Sequence, residues 1–94
     1  MKNLLYAGHE LTTTDAVAEA LLDFVVTLAR TQPPESVNIP VLMNGRSTDV
    51  QLILTAVTPI AAASIDMSEV ALNGADFAIE ILRRKTERLD SVGL

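Results

Sequence analysis

Residues 15–30 set their polar side chains, Asp15, Glu19, Asp23, Thr27 and Arg30, on one narrow helical stripe, and almost everything between them is apolar. At helical period Val17, Ala18, Ala20, Leu21, Leu22, Phe24, Val25, Leu28 and Ala29 sweep about 200° of the circumference, where a surface helix on one core shows a stripe of ~100° or a little more. Such a helix is covered on two sides. A chain of 94 residues has little material for a second covering layer, so the pattern predicts a partner subunit.

The same reading along the rest of the chain predicts short strands around this helix. Leu4-Leu5-Tyr6 and Glu10-Leu11-Thr12 flank Ala7-Gly8, where glycine supplies the positive φ of a tight turn. Hydroxyls at residues 12–14 can accept from the free N–H groups of a first helical turn, and Asp15 and Glu19 complement its positive dipole end, so the helix starts at about Thr14. It stops before Gln32-Pro33-Pro34, because a proline disfavours helical geometry at the residue preceding it.

Val37, Ile39 and Val41 alternate with Asn38 and Pro40, the period of a half-buried strand, and Pro40 places that strand at or near an edge. Asn44-Gly45 is the strongest hairpin signal in the chain. The returning strand, residues 47–57, points Val50, Leu52, Leu54 and Ala56 one way; Ile53 and Val57 on its other face predict cover for that half too. After Thr58-Pro59, residues 60–65 form a third strand of small side chains, able to lie closely beneath a helix. Residues 66–72 read as a loop or a single turn. Asn73 caps a last helix running to about Leu89, with Phe77, Ala78, Ile81, Leu82 and Leu89 inward, and residues 91–94 form a loose end.

The order is β-β-α-β-β-β-α: one α+β domain spanning residues 1–94, a small antiparallel sheet with two helices packed on one face. Composition changes the picture in two ways. Hydrophobic residues are 49% of the chain but only Tyr6, Phe24 and Phe77 are aromatic, so aliphatic side chains fill the core. Seven basic against 12 acidic residues give a net charge of -5, which repels phosphate backbones and anionic membranes and argues against a nucleic-acid partner. The absence of cysteine excludes disulfides and fits a cytoplasmic address. No membrane segment is expected, since the apolar stretch at residues 52–63 is far shorter than the ~18 apolar residues of a spanning helix.

Candidate chemistry is sparse. His9, the sole histidine, stands beside Glu10 but reads as a polar turn residue, and no catalytic residue, cofactor or metal site is expected. Asp15, Glu19 and Asp23 at successive i, i+4 positions read as a solvated acidic face. Arg83, Arg84, Lys85 and Arg88 gather at the end of the last helix, where cations complement the dipole and Glu80 sits one turn before Arg84. Arg46 sits at the hairpin tip, and no phosphate-cradling glycine motif occurs.

Tyr6-Ala7-Gly8-His9-Glu10-Leu11 leading into Asp15 and a helix, the hairpin with Gly45-Arg46, and Leu72-Asn73 opening the last helix together resemble small bacterial α+β single-domain proteins with no established activity. The resemblance implies the α+β order and a bacterial cytoplasmic origin, and transfers no site.

The expectation is a non-enzymatic domain acting through homodimerisation, or through interaction with another protein, by way of the first helix. Ala18, Leu22, Val25, Val26 and Ala29 are its interface residues. The alternative is a small-ligand-binding or minor enzymatic domain, with a pocket between sheet and helices reached by His9, Arg46 or Asp49.

Overall fold

The computed structural model describes residues 1–29 and 33–92, the last two of these by backbone only. The order is the expected one: β1 (Lys2–Tyr6), β2 (His9–Thr13), α1 (Asp15–Leu28), β3 (Glu35–Met43), β4 (Arg46–Leu54), β5 (Ile60–Ser64) and α2 (Ala75–Val92). The strands form one antiparallel sheet in the spatial order β4-β3-β2-β1-β5. The fold is α+β.

Two hairpins follow from local chemistry. Ala7-Gly8 and Asn44-Gly45 place both of their central residues at positive φ, 50° and 81° in the first, 52° and 77° in the second. Positive φ at both central positions is what a two-residue turn needs to match the twist of its strands. Tyr6 consequently pairs with His9, and Met43 with Arg46. At the start of α1, Thr14 is extended and its Oγ1 accepts from the Val17 N–H at 3.1 Å, satisfying one orphan donor of the first turn. The expected stop before Gln32 lies outside the described residues.

β2 and β3 pair only where Thr12 meets Leu42. Most of β3 therefore runs beyond the end of β2, and Pro40 stands where the ladder stops. It has no N–H to lose there, and its carbonyl accepts the Thr13 hydroxyl at 2.7 Å. β3 is thus an inner strand of the sheet with an open stretch, which is how it tolerates the proline.

The sheet is strongly coiled. β1 and β4 are three positions apart, about 14 Å across a flat sheet. Yet the Tyr6 hydroxyl donates to the Ile53 carbonyl at 2.7 Å and accepts from the Ile53 N–H at 3.2 Å. Coiling also lets residues 55–59 join β4 and β5, which are opposite edges.

Inside lie Leu4, Leu11, Val37, Ile39, Val41, Leu52 and Leu54 from the sheet, and Val17, Ala18, Ala20, Leu21, Phe24 and Leu28 from α1. Leu82 and Leu89 of α2 join the same cluster. α1 is thus covered on two sides, as its pattern requires, but the second cover is the chain's own α2.

Several details depart from the sequence expectation. β4 ends at Leu54 because Thr55 and Thr58 close a turn: the Thr55 N–H donates to Thr58 Oγ1 at 2.8 Å. The outer face here is open among the described residues, with Ile53 and Val57 54% and 86% exposed. α2 begins after Asn73-Gly74 rather than at Asn73, since Gly74 takes a φ of 79° and the Asn73 N–H is held by Ser47 Oγ at 2.9 Å. Phe77 faces out, 68% exposed, because Ala78, Leu82 and Leu89 set the inward stripe of α2. Residues 91 and 92 continue the helix, while the rest of the expected loose end lies outside the described residues.

Candidate functional site

The outer side of α1 collects the residues predicted to form an interface, and the fold treats them unequally. Ala18 is buried within the protomer's own core, so its surface is already used. Leu22 is half-buried and lines a crevice with Ala62 of β5 and with Lys2, Asp15, Ala18, Glu19 and Asp23. Val25 is half-buried against the core. Val26 is 69% exposed, and Ala29 at the end of the helix is exposed. Leu22, Val26 and Ala29 occupy the side of the helix turned away from Phe24; Leu22 is partly covered there by its own protomer, whereas the exposed Val26 and Ala29 gain nothing from the hydrophobic effect within it.

The acidic stripe beside it is less bare than its sequence implies. The α-ammonium of Met1 lies 3.2 Å from Asp15 Oδ1 and 3.4 Å from Glu69 Oε2, and donates to the Met67 carbonyl at 3.5 Å. Asp23 Oδ2 receives Arg83 Nη1 at 2.6 Å, tying α1 to α2. Sequence reasoning missed these contacts, since their partners lie well beyond one helical turn along the chain, with Glu69 and Arg83 lying 68 and 60 residues from the groups they meet.

The ammonium's pKa is raised above the ordinary α-amino value of 8.0, chiefly by its hydrogen bond to Asp15, against the opposing effect of desolvation, with the charges of Asp15 and Glu69 adding to the rise. A raised folded pKa means that the folded state holds this proton more tightly than the unfolded chain. The stabilisation is complete below about pH 8 and is lost as pH rises through the folded value. Urea midpoints measured between pH 7 and pH 10 are therefore expected to fall more steeply for the native chain than for Asp15→Asn. Parallel slopes would remove the pair from the stability balance.

The basic cluster of α2 is likewise engaged. Arg83 binds Asp23, Arg84 binds Glu80 one turn before it, and Arg88 Nη2 reaches Glu35 Oε1 at 3.4 Å. Lys85 instead lines a crevice between α2 and β3, with Asn38, Asp49 and Phe77. At about 250 Å³ this crevice falls below the ~300–1,000 Å³ of small-molecule sites. The three residues proposed to reach a pocket do not converge: His9 borders a different hollow, beside Pro59 and Ile60, and Arg46 is exposed at the hairpin. Among the described residues no three His, Asp or Glu side chains are grouped to hold a metal ion, and no buried side-chain polar atom lacks a partner.

Comparison of the chain with protein-family models, curated proteins and solved structures finds no match. Among the described residues no helix is long and apolar enough to cross a membrane.

Proposed function

We propose that this chain is a non-catalytic interaction domain of the bacterial cytoplasm, that it works as a homodimer, and that the outer side of α1 forms the contact. The observation that carries the reading is the exposed Val26, continuous with Ala29 and with the outer parts of Leu22 and Val25. A contact of this kind between two copies is isologous, so each residue of the stripe meets the same stripe across a two-fold axis. Glu19, exposed at the margin, belongs to its polar rim.

Val26 packs against little in the protomer, so Val26→Glu leaves the fold intact. It is expected to shift the sedimentation equilibrium of the native chain from dimer to monomer, with Leu22→Glu doing the same. A native chain that sediments as a monomer up to high micromolar concentration overturns the reading, and so does a Val26→Glu variant that dimerises as before.

A further inference from the structure

Residues 65–74 join β5 to α2 without forming a strand or helix, and residues 66–71 are all exposed or half-buried. Leu72 is buried and fixes the end nearer α2. The other end is held by polar contacts, and they converge on one atom. The Met1 ammonium meets Glu69 Oε2 at 3.4 Å and the Met67 carbonyl at 3.5 Å, and it reaches Asp15 Oδ1, on the first residue of α1, at 3.2 Å. Among the described residues, and apart from the Met67 N–H on the adjacent Ile65 carbonyl, every hydrogen bond and ion pair of residues 66–71 ends on that nitrogen.

Met1 itself is fixed from the other side. Its side chain is buried, its carbonyl accepts the Ile65 N–H at 3.3 Å, and the next residue, Lys2, is paired with Thr13 and Ser64 in the sheet. The sheet therefore sets the position of the nitrogen, and the segment comes to it. What the nitrogen carries decides whether the contact forms. An ammonium has three N–H donors and a positive charge for three acceptors, two of them carboxylates. An amide nitrogen has one N–H and no charge, and its acyl carbon takes a direction that an acceptor now occupies. Asp15 and Glu69 are then left as neighbouring like charges without their cation, which repel.

We propose that Met1 is a modification-sensitive clamp: an acyl group on its α-nitrogen releases residues 66–71 from the first turn of α1 and leaves the sheet and both helices in place. The modification is an acyl transfer from a thioester donor. The acyl carbon bonds to the nitrogen as its C–S bond breaks; of the three ammonium protons one stays on the amide, one goes to the departing thiolate and one to water. Met1 is 5% exposed in the fold, so the amine reacts on the unfolded or newly made chain and the folded state responds to the result. Release opens the hollow that Glu69, Val70 and Leu72 share with Ala16 and Phe77, between the first turns of the two helices.

The test uses the whole chain with its amine free and acetylated. In urea near pH 6.5 an α-amine, with an ordinary pKa of about 8, reacts with an activated acetyl ester ahead of lysine side chains at roughly 10.4. After refolding, mass spectrometry confirms a single acetyl group on Met1. Backbone NMR order parameters at residues 67–69 are expected to fall from ~0.85 to below ~0.6 on acetylation, while those of β1 and α1 hold. Unchanged values at residues 67–69 overturn the proposal, and so do values already below ~0.6 in the free-amine chain. Glu69→Ala, at a side chain 55% exposed, reads the same clamp with the amine free, in a chain whose refolding no acetyl group disturbs. The same residues are expected to loosen in that variant, and a segment as rigid as the native one overturns the clamp.

Discussion

Phe24→Ala is expected to cost ~3–5 kcal/mol of folding stability, the range for emptying a large aromatic site in a packed core. Phe24 is the largest of the fully buried side chains and one of only three aromatic residues in the chain. The residues that share its cluster are Leu, Ile, Val and Ala, which fill space in small pieces and cannot collapse into a hole of that size without leaving their rotamers. A domain of this length commonly has ~5–15 kcal/mol in total, so the variant retains a fraction of its stability or none. Urea denaturation read by circular dichroism checks it: the midpoint falls steeply, while Val26→Ala, on the exposed side of the same helix, stays within about 0.5 kcal/mol of the native chain. A loss below about 1 kcal/mol for Phe24→Ala would mean that the space between α1, α2 and the sheet is not the packed centre of the molecule.

What was legible in the sequence was what neighbouring residues decide. Asn44-Gly45 announced its turn because both positions tolerate positive φ, and Thr14 announced the start of α1 because a hydroxyl there reaches the free donor of Val17. The alternation of Val37, Ile39 and Val41 marked the inward face of β3, since successive side chains in a strand point to opposite sides. Everything that depended on distant partners was hidden. The pairing of β5 with β1, the Tyr6 hydroxyl on Ile53 and the Met1 ammonium between Asp15 and Glu69 join residues far apart along the chain. Phe77 was misplaced for a related reason: periodicity tells which residues share a stripe, while the rotation of that stripe towards the core is set by what α2 packs against.

The wide apolar arc of α1 shows the same division. Its breadth correctly signalled two covering layers, but the sequence could not say that α2 would be the second, because that depends on the chain folding back to bring Leu82 and Leu89 into the core that α1 shares. The aliphatic surface left over is thereby reduced to Leu22, Val25, Val26 and Ala29, a narrow strip. A strip of that width is small beside the ~800 Å² per partner of a standard interface.

The second large effect is expected at the point where β2 gives out. Thr13 is fully buried, and its hydroxyl donates to the Pro40 carbonyl at 2.7 Å, continuing by side chain a ladder that the backbone has ended. Thr13→Val keeps the shape and removes the donor, leaving a buried carbonyl on β3 without its partner. An acceptor stranded in that way costs ~1–3 kcal/mol, more than the hydrogen bond itself contributes in net terms. Thr27→Val is the matched control. Thr27 is also buried, but its hydroxyl bonds the Asp23 carbonyl one turn back within α1, at 3.0 Å, a carbonyl that the helix ladder serves in any case. The control is expected to change stability by less than about 0.5 kcal/mol. Equal losses in the two variants would show that the Thr13 hydroxyl adds nothing to the Thr12–Leu42 pairing that joins β3 to β2, and that Pro40 owes its place to the missing N–H rather than to the hydroxyl that meets its carbonyl.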